Sequence, residues 1–169
     1  MGRSRAMGGL ERLIAALGRA VAWLTLVMVL VTVCIVVLRY GFNLGWIWLQ
    51  ESVVYMHAAV FMLAAAWTLQ DDGHVRVDIF YRERSDAYRD WVNLAGYLFL
   101  LMPFCVCLMV MGWEYVAASW RLLEGSREAG GLPTVYLLKS LILLMPALLL
   151  AQALCAGVAA IGRLRAEPG

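Results

Sequence analysis

The sequence predicts an all-α membrane protein with four transmembrane helices, N-terminus and C-terminus cytoplasmic, and short interfacial amphipathic helices. Three observations predict it. Of 169 residues, 63% are hydrophobic and only 15% are charged, against about 25% charged in soluble domains. Residues 20–38, 52–70, 91–113 and 140–162 form runs without a single charged side chain. A hydrocarbon core about 30 Å thick takes roughly 20 helical residues, so each run is long enough to cross it. Lys and Arg are also unevenly divided. The N-terminal stretch, the second connector and the tail hold 10 of them, and the other two connectors hold 4. Basic residues favour the cytoplasmic side, which places both termini there. Residues 1–169 read as a single four-helix membrane domain, because too little chain lies outside the spans for another. The net charge of +2 is spread along the chain and gives no footprint for nucleic acid.

The N-terminal stretch carries Arg3, Arg5, Arg12 and Arg19 beside Glu11, and Leu10, Leu13, Ile14 and Leu17 recur at helical spacing. Two arrangements fit: an amphipathic helix on the membrane surface, or the first turns of helix 1 itself. The span 20–38 is long for a signal peptide and no small-x-small site closes it, so it reads as a retained helix. The first connector has Arg39, Gly41, Asn43 and Gly45, then Trp46 and Trp48 as interfacial anchors. Gln50 and Glu51 follow. A carboxylate is favoured at a helix N-terminus, and Arg39, across the hairpin, is its expected ion-pair partner. Arg39, Asn43, Trp46, Trp48, Gln50 and Glu51 together are expected to stabilise this outer hairpin and to border a partner contact.

In helix 2, Ala58, Ala59, Ala64, Ala65 and Ala66 predict close helix approach. His57 lies inside it, where an imidazole is expected to form an interhelical hydrogen bond. A bis-histidine haem would need a second histidine at the same depth, and His74 lies in the next connector. That connector, 71–90, holds four Arg and six acidic residues. Gly73 suits a helix C-terminal cap. Val75, Val77 and Ile79 alternate with Arg76 and Asp78, as in a short extended stretch. Gly73, His74, Arg76 and Asp78 are expected to fix a solvated cytoplasmic turn rather than to hold a metal.

Helix 3 runs between Trp91 and Trp113, with a kink predicted at Pro103. The third connector starts helix-like and breaks at Gly130-Gly131-Leu132-Pro133. Helix 4 contains Pro146. Cys34, Cys105, Cys107 and Cys155 all sit in apolar runs and read as small hydrophobes. Cys105 and Cys107 point about 200° apart on a helix, so no disulfide framework is expected.

A pump or secondary transporter moves charged cargo past polar groups inside the membrane. Here the spans offer only a few Thr, Ser, Gln and Asn, with His57 and the cysteines as the ionisable groups. Paired broken helices, which mark a midplane binding site, are missing. The chain therefore reads as a membrane subunit that packs against something else, with no catalytic, cofactor or metal set of its own. The competing class is a four-helix redox anchor holding haem or quinone; a Soret band in the purified protein would favour it.

Arg39-Tyr40-Gly41-Phe42-Asn43 followed by Trp48-Leu49-Gln50-Glu51 resembles the first hairpin of the small permease subunit (DctQ-like) of tripartite ATP-independent periplasmic (TRAP) transporters. Gly73-His74-Val75-Arg76-Val77-Asp78 resembles that family's second connector, where a Gly-Gly-His pattern is usual; Asp72 stands in place of the first glycine. Gly131, Leu132, Pro133 and Lys139 look like the entry to its fourth helix, and Gln152 also fits. The resemblance covers about residues 13–162. It implies a heteromeric complex in the bacterial inner membrane. There a periplasmic solute-binding protein delivers an organic acid, and a large multi-spanning permease subunit carries it with sodium. The small subunit then braces the large subunit's scaffold amid membrane lipids, holds no cofactor, and leaves sodium to the large subunit. The stretch 126–133 looks like a branch associated with 2-oxo acids or related carboxylates.

Overall fold

The computed structural model describes residues 5–74 and 84–166, with side chains from residue 8. Five α-helices account for nearly all of it: α1 (Arg5–Gly41), α2 (Ile47–Gln70), α3 (Asp86–Gly96), α4 (Met102–Leu122) and α5 (Val135–Ala166). A π-helical turn, Tyr97–Leu101, fuses α3 to α4. Four stretches are long and apolar enough to cross a membrane: Gly8–Gly41, Ile47–Gln70, Asp86–Leu122 and Val135–Ala166. The predicted spans are the apolar parts of these longer helices, with the second ending together with its helix at Gln70. Hydrogen bonding within a helix does not stop where hydrocarbon stops, so charged residues at the span edges extend each one.

The start of α1 and the end of α5 lie at one end of the molecule, where Glu11 and Arg163 border the same cavity. The amphipathic N-terminal stretch forms the first turns of α1. Ile14 is 1% exposed there, packed with Ala66, Cys105 and Leu149, and Leu10 and Trp67 flank that cluster. Gly18 makes this possible, because a Cβ at Gly18 would run into the Trp67 indole. Gly18→Val is expected to lower stability by about 1–3 kcal/mol, the usual cost of overpacking. A thermal melt of the purified protein checks it, with Gly9→Val as the control in open space.

The helices form an open row. α1 packs on α2 and more lightly on α5, α2 on α5, and α5 on both α3 and α4, whereas α1 and α4 share no extended contact beyond the cluster of Ile14 and Cys105. Central α5 carries the buried small residues Ala153, Gly157 and Ala160, and Gln152 is buried among them. In lipid such residues let backbones approach. Gly112 of α4 likewise admits Ile142 and Leu143 of α5. Most large apolar side chains point outward, as expected for faces that meet lipid or another protein.

Helix ends are set by left-handed residues. Asn43 (φ 58°) follows α1, and the Leu44 N–H reaches back to the Leu38 carbonyl at 2.9 Å. The left-handed turn stops the helix, and asparagine tolerates that conformation. After α2 the left-handed residue is Asp72 (φ 60°), not Gly73; the Gly73 N–H closes the turn on the Thr68 carbonyl at 2.8 Å. The cap lies one residue earlier than expected, at the position where the DctQ-like pattern has glycine. Leu123 (φ 46°) ends α4.

Pro103 produces a π-turn. Its ring crowds the preceding turn and it has no N–H to donate. The chain widens just before it, and the Met102 N–H bonds to the Tyr97 carbonyl five residues back. Such widening is a standard local answer to a blocked ladder.

Two expectations are corrected. Arg39 is not the partner of Glu51; the carboxylate turns toward the α4–α5 loop. His57 makes no interhelical hydrogen bond among the described residues. Its ring stacks on Phe61 of the same helix, with centroids 6.2 Å apart. Of the cysteines, Cys105 and Cys155 are buried and Cys34 and Cys107 exposed, all as free thiols.

Candidate functional site

The charged and polar side chains gather at the two ends of the row. The end away from the termini is a clamp built on the loop between α4 and α5. That loop is tied internally: Ser126 N–H to the Leu132 carbonyl at 2.8 Å, and Gly131 N–H to the Glu128 carbonyl at 3.0 Å. Glu51, in the first turns of α2, reaches into it. One carboxylate oxygen accepts from the Ser126 hydroxyl, and the other accepts from the Leu132 N–H at 2.6 Å. The Trp48 N–H, free at the start of α2, donates to the Gly130 carbonyl at 3.2 Å. Gly131 is required here, because a Cβ would lie 2.8 Å from the Glu51 carboxylate and overlap Ser126.

A second carboxylate secures the same loop. Glu124 accepts from Ser119 of α4 at 2.7 Å and from Lys139 of α5 at 2.5 Å. Lys139 also sits 4.0 Å above the Tyr115 ring. The Trp120 indole N–H donates to Ser140 at 2.8 Å, and Trp120 meets Tyr136 edge-on at 4.7 Å. The Lys139 ammonium, and then the Ser119 hydroxyl, hold the Glu124 carboxyl below the usual carboxylate range. The depressed value belongs to the folded state. Its stabilisation is therefore complete above the ordinary carboxylate pKa and is lost as pH falls through the depressed one. Melting temperature is expected to fall as pH drops below about 4, with Glu124→Gln flattening that part of the profile.

The end near the termini has its own tie. Asp90 of α3 accepts two hydrogen bonds from the Arg163 guanidinium of α5, at 2.7 and 2.6 Å. Beside it lies a polar cavity of about 480 Å3, lined by Gln70, Asp71, Asn93, Tyr97, Gln152 and Arg163.

The structure therefore brings Trp48, Glu51, Gly131, Leu132 and Lys139 together at one clamp, with Pro133 against Gly125. Asn43 is a helix stop. Arg39, Trp46 and Gln50 are exposed around the hairpin. Gly73 closes α2, and His74 is exposed just beyond it. Arg76 and Asp78 lie outside the described residues. Sequence reasoning missed Ser119, Glu124, Asp90 and Arg163 as ties. For Asp90 and Arg163 the signal was position, since each directly flanks an apolar run; Ser119 and Glu124 lie inside the third connector and carried no such mark.

Among the described residues no group of three or more His, Cys, Asp or Glu converges on a metal-sized site. His57 and His74 lie on α2 and just past its end, more than about 20 Å apart along the helix axis. Short polar ties at the two ends join α2, α3 and α4 to α5 or to the loop before it.

No curated protein and no solved structure matches the chain. The family model for the DctQ component of tripartite ATP-independent periplasmic transporters matches residues 28–163. That stretch runs from the middle of α1 to Arg163 and takes in both the clamp and the Asp90–Arg163 tie. A multi-pass membrane chain with this match belongs to the DctQ family, the small permease component of TRAP transporters.

Proposed function

We propose that this chain is the small, non-translocating subunit of a sodium-coupled TRAP transporter for organic acids in the bacterial inner membrane. It braces the scaffold of the large permease subunit. One observation carries the reading: the ionised side chains stand at the two ends of the row, several of them in interhelical ties, while the depth between is apolar apart from scattered polar groups. Cargo bearing a carboxylate needs polar partners along its way, and a brace needs rigidity and outward packing surface. An open row of helices, tied at both ends, supplies a wide face of that kind. The large subunit then carries substrate and sodium, and a periplasmic solute-binding protein delivers the acid. Termini on the cytoplasmic side put the Glu51 clamp at the periplasmic surface, where a binding protein docks.

Reconstitution into proteoliposomes tests this. With the large subunit, the binding protein and an inward sodium gradient, organic acid uptake is expected only when this chain is present, and this chain alone is expected to be inert. Full-rate uptake without it would overturn the obligatory role. Reporter enzymes fused after Gly45 and after Asp86 test the orientation; an external signal from the second would reverse it.

A further inference from the structure

His57 is the exposed ionisable ring of the mid-membrane region. It is the eleventh residue of α2, which begins at Ile47 and ends at Gln70, so it lies about 15 Å from the start of a helix about 36 Å long. An imidazole is too short to reach either water surface from there. Its ring stacks flat on Phe61, which is 74% exposed, and it has no hydrogen bond among the described residues. The other polar group beside it, the Thr32 hydroxyl, is bonded to the Met28 carbonyl at 2.7 Å. A polar ring left without partners in hydrocarbon costs a few kcal/mol, so something must cover it.

Next to His57 the α1 and α2 surfaces form an apolar groove of about 470 Å3, lined by Met28, Val29, Thr32, Val33, Val53 and Val54. Stiff β-branched walls suit a helix laid along them. A lipid chain fills such a groove but offers nothing to a ring nitrogen. A second copy meeting His57 to His57 makes one hydrogen bond and leaves one ring N–H and one ring nitrogen unsatisfied. A foreign helix is not bound by that symmetry, and hydroxyl or amide side chains placed on it at that depth can donate to the bare ring nitrogen and accept from the ring N–H.

Resting on the subunit reading above, we propose that the α1–α2 groove around His57 is where a transmembrane helix of the large permease subunit docks, presenting a hydrogen-bonding side chain to the imidazole. The far faces of α4 and α5 meet lipid.

A photo-crosslinking residue placed singly at Val33, Val54, Val110 or Leu154, in the chain co-expressed with its large subunit, tests the face. Val110 and Leu154 are exposed on α4 and α5. Adducts with the large subunit are expected from Val33 and Val54 and not from Val110 or Leu154. His57→Leu is expected to lower the amount of large subunit recovered about tenfold, roughly the effect of a lost buried hydrogen bond, while His57→Asn retains most of it. The melting temperature of the chain alone should be unchanged in both variants. If the large subunit co-purifies but crosslinks from Val110 or Leu154, or if Val33 and Val54 yield only lipid adducts or a dimer of this chain, the docking face is wrong and the subunit reading stands. Unchanged recovery with His57→Leu also overturns the proposal. If the large subunit does not co-purify with the unaltered chain at all, both fall.

Discussion

Glu51→Ala is expected to reduce sodium-driven uptake by the assembled transporter several-fold, and to lower the melting temperature of the purified chain, while Asp86→Ala changes neither. The contrast follows from what each carboxylate holds. Asp86 stands in the exposed first turn of α3 and pairs with Arg89 three residues on, at 3.4 Å. Such surface pairs contribute little. Glu51 bonds to a hydroxyl and a backbone amide 75 and 81 residues away in the chain. Alanine there leaves the Ser126 hydroxyl and the Leu132 N–H without their acceptor, and orphaned polar groups are what make such losses large. It also frees the loop that joins α4 to α5, while Trp48 retains only its backbone bond to Gly130. Glu51→Gln keeps an acceptor oxygen and is expected to fall between. A cycle combining Glu51→Ala with Ser126→Ala isolates the direct bond: the two losses should not add. Equal, unimpaired uptake by Glu51→Ala and Asp86→Ala would remove the clamp from the functional account.

The same residue shows how far a sequence of this kind can be read. The importance of Glu51 was legible, because a carboxylate opening an apolar helix needs a reason. Its partner was not. The nearest opposite charge, Arg39, looked sufficient, but the real partners are neutral groups in a loop distant along the chain. Hydrogen bonds to hydroxyls and amides leave no charge pattern to search for. The four spans were legible because desolvating a charge in hydrocarbon costs so much that charge-free runs mark them. Their true ends were not, since charged residues near the helix ends satisfy one another there, Glu124 with Lys139 and Asp90 with Arg163. Pro103 was legible as a disturbance, but whether a proline kinks a helix or widens it to a π-turn depends on what packs beside it. His57 was legible as needing a partner, and none of the described residues provides one. The open row of helices was invisible to periodicity, because lipid-facing and protein-facing sides are equally apolar.

Asp90→Ala is expected to destabilise the chain by about 1–3 kcal/mol, the range for hydrogen bonds to charged groups. The figure sits below the cost of breaking a fully buried ion pair because the pair is asymmetric. The Asp90 side chain is 12% exposed and that of Arg163 60%, so the arginine left behind recovers solvent. The reverse change, Arg163→Met, strands the more buried partner and is expected to cost at least as much, although the methionine stem keeps some of the packing. These two residues join the start of α3 to the last turns of α5, beside the cavity that Asp71 and Asp72 also line. Cutting the tie should release the first turns of α3 while leaving the π-turn and α4 in place. Hydrogen exchange reads this directly: amides of residues 86–96 are expected to exchange faster in either variant, and those of 104–120 at the unaltered rate. A charge reversal, Asp90→Arg with Arg163→Asp, should recover part of the loss if the bidentate geometry is what matters. If the two single variants instead add without coupling, the bridge contributes nothing of its own, and the end near the termini is held by the packing of Ile14, Ala66, Cys105 and Leu149 alone.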